Sequence, residues 1–411
     1  CDAYVRLNKA QKKAVDTIEG PVMVIAGPGT GKTQILALRI ANILRLTDTA
    51  PSSILALTFT ESGVASMRAR LVSLIGQEGY RVRVHTFHGF CNEVIRTYPD
   101  RFPSIIGRTP LIELDALEII KNSIDELRPT LLRPHGKPDF YVMDIKSKLS
   151  EVKREHITPK MLEERVVAER ERINNASDLY HEKGAHKGKM KGMYMEASRA
   201  LARATEFVQV YEVYETALAE RALYDFEDTI IAVIEMLAKD EELKLILQEE
   251  HQYILADEHQ DANGSQNELL VLLSEFHSEP NLFIVGDEKQ AIYRFQGASL
   301  ENFFSFHRRY KNAAMIPLEE NYRSTQNILD AAHTLIESAR GQAEVARVNL
   351  KARSVHAEQE ITLARAPDDD TEYAYIAKQI AKHIRDGTPA NEIAILARRN
   401  GFIASRYCSC F

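Results

Sequence analysis

The sequence predicts an α/β fold, with a parallel sheet, an inserted all-helical subdomain and the start of a second α/β unit. Three observations predict it. The apolar run Val22–Ile25 leads into a glycine-rich stretch, Gly27 to Thr33, and then into helical periodicity from Gln34 to Leu46. Short apolar runs recur downstream, each closed by polar residues and followed by a helical pattern. Between residues 91 and 223 strand signals stop and long amphipathic helices replace them.

Composition sets the outer limits. The chain has 411 residues, a formal net charge of −7 and 45% apolar residues. That length fits two or three folding units with ordinary cores. There is no apolar run of about 18 residues, so no membrane-spanning segment is expected. The first residue is Cys1, and no basic start with an apolar core marks a leader. The expectation is a cytoplasmic protein and a piece of a longer gene product. The four cysteines, Cys1, Cys91, Cys408 and Cys410, are too few and scattered for a disulfide framework. Cys408 and Cys410 lack the upstream ligands of a metal site. The acidic balance excludes a generally basic nucleic-acid binder, so any such surface must be local.

The elements follow in order. LNKAQKKAV places Leu7, Ala10, Ala14 and Val15 at helical spacing behind a possible cap, Asn8. Gln11 on this helix offers a donor and an acceptor, which suits an adenine edge and equally suits solvent. The stretch Ala26, Gly27, Pro28, Gly29, Thr30, Gly31, Lys32, Thr33 fits G-x-x-x-x-G-K-[ST]. Its glycines let backbone N–H groups turn inward around phosphates, and the following helix adds its positive end. Lys32 reaches the β/γ-phosphates of ATP in this pattern, and the Thr33 hydroxyl completes the shell of Mg²⁺.

A second strand, Ile54–Phe59, ends in Thr58, Phe59 and Thr60. A third, Val82–Thr86, ends in Thr86, Phe87, His88, Gly89 and Phe90. Ligands collect beyond the carboxyl ends of such strands. Aromatic rings among hydroxyl and basic groups suit single-stranded nucleic acid, although for each Phe alone core packing is the commoner role. Helices are expected over 114–127, 144–153, 159–173 and 199–224, broken at Pro129, Pro134, Pro138 and Pro159. The segment 181–191 carries Lys183, Lys187, Lys189 and Lys191, either as a solvated loop or as a phosphate contact.

The buried strand Tyr253–Ala256 delivers Asp257 and Glu258 at its end. In a P-loop enzyme Asp257 holds Mg²⁺ there, and Glu258 orients and deprotonates the attacking water. Asn281–Asp287 is a further strand. Gln290 beyond its end is placed to sense a γ-phosphate, and Tyr293 and Phe295 offer stacking faces. The stretch from about Lys311 onward reads as a second α/β unit. Its expected strands are 315–318, 361–364 and 393–397, with helices at 325–338 and 371–385. The expected division is 1–90 with 224–310 as the first lobe, 91–223 as the helical insertion and 311–411 as a partial second lobe.

Together these stretches resemble superfamily 1 DNA helicases of the UvrD/Rep/PcrA type. The matching residues are LNKAQKKAV, AGPGTGKT, LTFTESGVASMRAR, VHTFHGF, ILADEHQD, IVGDEKQAIYRFQGA, ENYRST and EIAILARRN. The resemblance implies two RecA-like lobes with ATP between them and single-stranded DNA across their top. It implies that Gln11 contacts adenine, that Tyr322 stacks on it, and that Gln290 and Arg323 touch the γ-phosphate. It places Phe59, Thr60, Thr86, Phe87, His88, Tyr293 and Phe295 along the DNA. Single/double-strand junctions and repair or nuclease proteins are the implied partners, and 3′-to-5′ translocation is the implied movement. Three positions depart from the pattern. His259 stands where the family has Phe or another apolar residue, either as a minor variant or as a pH-sensitive contact. Phe295 stands where Trp is common, and Gln34 where an Arg commonly follows the P-loop threonine. Two later motifs of the family, one with a second γ-phosphate arginine, are expected beyond Phe411.

Three rivals differ in class. A nucleotide-dependent DNA-binding module without motor activity lacks strong stimulation of hydrolysis by DNA. The motor subunit of a helicase–nuclease complex carries a nuclease motif downstream. A P-loop kinase is disfavoured by the long separation of Lys32 from Asp257 and by the IVGDEKQAIYRFQGA stretch.

Overall fold

The computed structural model describes residues 2–181, 183, 186–276, 278–290, 306–339 and 349–397. Six parallel strands form its main sheet in the order 3-2-6-7-1-8. They are β1 (Val22–Ala26), β2 (Ile54–Thr58), β3 (Arg83–Thr86), β6 (Tyr253–Ala256), β7 (Leu282–Gly286) and β8 (Ala314–Leu318). Two short strands, β4 (Thr109–Pro110) and β5 (Leu223–Tyr224), pair with each other, as do β9 (Glu320–Asn321) and β10 (Lys351–Ala352).

The sheet is buried on both faces, which explains why its strands read as continuous apolar runs. Met23, Ile25, Leu55, Leu57, Ile254 and Ile284 point to one face. There they meet α6 (Phe87–Thr97), α11 (Asp228–Lys239), α12 (Glu241–Glu250) and α13 (Gly264–Ser274). The alternate residues Val22, Val24, Ile54, Ala56, Leu255 and Phe283 point to the other face. They meet α2 (Lys9–Asp16), α3 (Lys32–Leu46) and α4 (Glu61–Ile75). The short helices α1 (Asp2–Val5) and α5 (Glu78–Arg81) flank this layer. Arg39 of α3 is almost fully buried and donates to the carbonyls of Ala14, Thr17 and Ile18, so it caps the end of α2.

The helical insertion contains α7 (Glu113–Leu127), α8 (Val142–Arg154), α9 (Pro159–Asn174) and α10 (Gly192–Glu220). Ile119, Ile120, Ile145, Leu149, Val210 and Tyr214 form its own core. The β4–β5 pair ties its entrance to its exit, with Thr109 N–H donating to Ala222 O at 2.9 Å and Leu111 N–H to Tyr224 O at 2.8 Å. The chain therefore leaves the α/β layer near residue 109, not 91. Helix α6 remains in the sheet core through Cys91, Val94 and Ile95. In the 181–191 segment, Tyr180 bridges Met190, Lys191 pairs with Asp178 at 2.8 Å, and Lys183, Lys187 and Lys189 are exposed.

Two expectations for the carboxyl-terminal part are corrected. Strand β8 is not the first strand of a separate sheet, because it pairs with β1 from Val22↔Ala314 to Ala26↔Leu318. Its neighbour is the phosphate-loop strand, and its apolar side chains Ile316 and Leu318 complete that strand's core. The expected strands 361–364 and 393–397 are absent. Both stretches are irregular, and Leu363 and Leu396 are exposed, so among the described residues no sheet layer covers them. Helices α14 (Gln326–Ala339) and α15 (Asp369–Arg385) form near the expected positions. Among the described residues no helix is long and apolar enough to cross a membrane.

The last turn of α8 locks the insertion to the sheet layer. The Lys153 ammonium, 2% exposed, lies 2.6 Å from Asp225, 2.6 Å from Asp228 and 2.8 Å from Glu215. Burial opposes its charge, but the three carboxylates outweigh burial and hold its pKa above the usual range. Arg154 pairs with Glu227 at 2.8 Å, Glu155 accepts from Gly264 N–H, and His156 contacts Glu268 at 2.8 Å. Lys153→Met leaves three crowded carboxylates without their counter-charge. Urea unfolding followed by circular dichroism is expected to show a loss of about 3–5 kcal/mol, and an unchanged midpoint would contradict the lock.

Candidate functional site

The candidate site lies beyond the carboxyl ends of β1, β6 and β7. Strand β1 hands the chain to the loop 27–31, where Gly29 (φ 69°) and Gly31 (φ 88°) take the left-handed conformation. A Cβ on Gly29 would lie 2.6 Å from the Arg323 Cβ, so only glycine fits there. Helix α3 starts at Lys32, which aims its positive end and the free N–H groups of its first turn into the same space.

Lys32 and Glu258 meet across this space. Their Nζ and Oε2 atoms are 2.5 Å apart, with Lys32 nearly buried and Glu258 one-third exposed. Glu258 has φ 49°, a left-handed conformation uncommon for a non-glycine residue and characteristic of functional turns. Asp257 is buried beside it. Burial first, and then the neighbouring Glu258 charge, push its carboxyl up to about 6. Asp261 is raised to about 6 for the same two reasons, and burial raises Asp287. Gln260 links these groups: its Nε2 donates to Glu258 at 2.8 Å and its Oε1 accepts from Asp287 N–H at 3.0 Å. Gln290 donates to Asp287 at 2.8 Å. Thus Lys32, Asp257, Glu258 and Gln290 belong to one connected group, joined through Gln260 and Asp287. Sequence reasoning passed over Gln260, whose burial beside the acidic pair was its only mark.

Among the described residues no cluster of three or more side chains ligates a metal. Mg²⁺ needs no such cage, since one or two protein ligands with phosphate oxygens and water complete its octahedron. A buried carboxyl whose ionisation is held back by burial and a like charge suits a divalent cation. Asp257 therefore fits that role, and Thr33 begins the adjoining helix.

The remaining expected residues divide. Gln11 is buried; its Nε2 donates to Thr30 O at 2.9 Å and its Oε1 accepts from Asn8 N–H at 3.0 Å. Tyr322 and Arg323 lie against the outer side of the loop, with both side chains exposed. Gln34 lines a shallow groove with Ala3, Ser66 and Arg70. His259 is 2% exposed and burial lowers its pKa to about 4, so it stays neutral near neutral pH. The pH-sensitive contact suggested for it is not supported.

A second cleft, about 500 Å³, opens beyond β2 and β3. Phe59, Thr86 and His88 line it, and Thr60 caps the adjoining α4 by accepting from Gly63 N–H. Thr86 caps α6 and donates to Glu61 at 3.0 Å. The His88 ring stacks on Phe226 with centroids 3.7 Å apart, and Phe226 is 66% exposed. Burial would raise the Glu227 carboxyl, but His88 and Arg154 outweigh burial and hold it below the usual range. Phe87 also borders the cleft, but at 2% exposure its ring packs mainly into the sheet core. Phe226 was missed because it lies far from the other aromatics in sequence. Tyr293 and Phe295 lie outside the described residues.

Comparison with known proteins agrees with this architecture. Residues 7–311 match the UvrD/REP helicase N-terminal domain, and residues 316–405 match the UvrD-like helicase C-terminal domain. The chain is 33% identical over 397 residues to the ATP-dependent DNA helicase PcrA of Staphylococcus epidermidis, and 32% identical over 397 residues to that of Staphylococcus aureus. Each match covers 96% of this chain and 48% of the relative, so the chain spans about half the length of these relatives.

The raised Asp257 carboxyl predicts a stability cost at neutral pH. The unfolded carboxyl titrates near 3.9 and the folded one near 6, so the folded state binds the proton more tightly and loses stability as pH rises through that window. Asp257→Asn is expected to exceed wild-type stability by about 1–3 kcal/mol near pH 7.5, with the gain vanishing near pH 4. Thermal unfolding at both pH values measures this, and equal stability near pH 7.5 would contradict it.

Proposed function

The chain belongs to the UvrD/Rep helicase family, and from that premise we propose that it hydrolyses Mg-ATP to move along single-stranded DNA. The observation that carries the proposal is the Lys32–Glu258 contact at the mouth of a glycine-rich loop. The loop N–H groups and the α3 terminus attract the triphosphate. An arriving phosphate oxygen takes the Lys32 ammonium away from Glu258. The released Glu258 carboxylate then accepts a proton from the attacking water, whose oxygen bonds the γ-phosphorus as the bond to the bridging oxygen breaks and ADP leaves with that oxygen. Gln260 keeps that carboxylate in place, and Gln290 reports on the γ-phosphate through Asp287. Asp257 and Thr33 would hold Mg²⁺, which supplies charge neutralisation for the phosphates. Arg323, resting on the loop, adds positive charge from the far side.

The cleft at Phe59, Thr86, His88 and Phe226 suits DNA, because its stacked rings offer an exposed aromatic face to a base. The reading extends to single/double-strand junctions, 3′-to-5′ movement, a role in repair and a cytoplasmic location. Hydrolysis and nucleotide binding, measured with and without single-stranded DNA, test the proposal. Lys32→Ala is expected to weaken ATP binding and abolish hydrolysis, and wild-type-like hydrolysis would overturn the assignment. Glu258→Gln is expected to keep ATP binding while slowing hydrolysis about 10²–10⁴-fold; loss of binding instead would make Glu258 a structural residue.

A further inference from the structure

Four consecutive carbonyls of the glycine-rich loop each accept a hydrogen bond. Gly27 O accepts from the Thr30 hydroxyl at 2.7 Å, inside the loop. The next three are held from outside: Pro28 O by the Asn321 side-chain amide, Gly29 O by Tyr322 N–H at 2.9 Å, and Thr30 O by the Gln11 side-chain amide at 2.9 Å. Asn321 and Thr30 are 0% exposed and Gln11 6%, so the Gln11–Thr30 bond is shielded from water, while Pro28 is exposed and Gly29 half-buried.

The outside donors belong to two arms that are joined to each other. Asn8 caps α2 by accepting from Gln11 N–H at 2.8 Å, and its own amide reaches Glu320 at 3.1 Å and the Tyr322 hydroxyl at 3.0 Å. On the second arm, Asn321 Oδ1 accepts from Arg323 N–H at 2.9 Å and Ser324 N–H at 2.7 Å. One side chain thus grips the loop with its amide and shapes the Arg323 turn with its oxygen.

A loop that turns N–H groups toward a phosphate must turn its carbonyls away from it. Buried carbonyls must then find donors. Here every carbonyl from Gly27 to Thr30 has one, and three of those donors are fixed by other elements. We propose that Gln11 and Asn321 are positioning residues that hold the phosphate loop open for the triphosphate before it arrives. This rests on the nucleotide-binding reading above, and it gives Gln11 a task distinct from contacting adenine. Without the braces the loop is competent only part of the time, so the apparent affinity falls by that fraction, and the loss falls on association.

The conservative changes Gln11→Glu and Asn321→Asp keep each oxygen that accepts locally and remove only the donor to the loop. Stopped-flow binding of a fluorescent ATP analogue with Mg²⁺ to the 411-residue chain gives both rate constants. Each variant is expected to associate about fivefold more slowly, as expected for one lost hydrogen bond, with its dissociation rate unchanged. A neutral variant, Gln11→Met, loses the same donor without adding a charge that salt could not screen at a buried position, and it is expected to show the same slowing. Wild-type association, a change confined to dissociation, or slowing in Gln11→Glu that is absent in Gln11→Met would each overturn the brace. A wild-type chain that does not bind the analogue would defeat the nucleotide reading, and the brace with it. If Asn321→Asp does not fold by circular dichroism, Gln11→Glu carries the test alone, because it retains the oxygen that bonds Asn8.

Discussion

The contact between Lys32 and Glu258 is the constraint on which the rest of the site depends. It closes a gap between the ends of β1 and β6, two strands separated in the sheet by β7. A parallel sheet supplies such a gap because all its strands deliver their last residues to the same edge. The phosphate loop, the acidic pair and the Asp287–Gln290 turn therefore meet although they lie far apart in sequence. Lys32 is the positive centre of a pocket that also holds Asp257, Glu258, Asp261 and Asp287. Two of those carboxyls are pushed up to about 6, so the pocket carries more negative charge than one lysine balances. That imbalance is what the proposed joint binding of a nucleotide and its metal would relieve.

The surroundings hold this strained arrangement in place. Glu258 keeps a left-handed backbone because Gln260, Lys32 and the end of β6 fix it from three sides. The helical insertion is tied down by a cluster of polar contacts at one turn, Lys153 to His156. Each of those four side chains reaches a residue of the α10–α11 connection, α10 itself or α13. Arg154 connects that turn to Glu227 and, through it, to the His88–Phe226 stack. The insertion is thus linked by contacts to the aromatic cleft, while the Lys32–Glu258 pocket lies beyond β6.

Much of this was legible in the sequence because local pattern and tertiary role coincide. The glycine spacing from Gly27 to Thr33 prescribes its own geometry, and an apolar strand ending in Asp257 and Glu258 places both acids at the sheet edge. Legibility failed where burial depends on distant neighbours. Phe59, Phe87 and His88 look alike in sequence as rings at strand ends, and only packing shows that Phe87 is buried. The run 315–318 reads as a strand in any sheet, and only its pairing with β1 shows which. The runs 361–364 and 393–397 have strand-like composition but pair with no strand among the described residues, and they stay irregular. Asn321 carries no signal of its own, because its role comes from the carbonyls that happen to face it.

The most direct measurement of the central claim is hydrogen–deuterium exchange with and without a non-hydrolysable Mg-ATP analogue. The account predicts slower exchange together in peptides covering 27–34, 254–261, 286–290 and 320–324, because one ligand fills a pocket made by all four. Protection confined to segments outside this pocket, or to the loop alone without the acidic turn after β6, would contradict it.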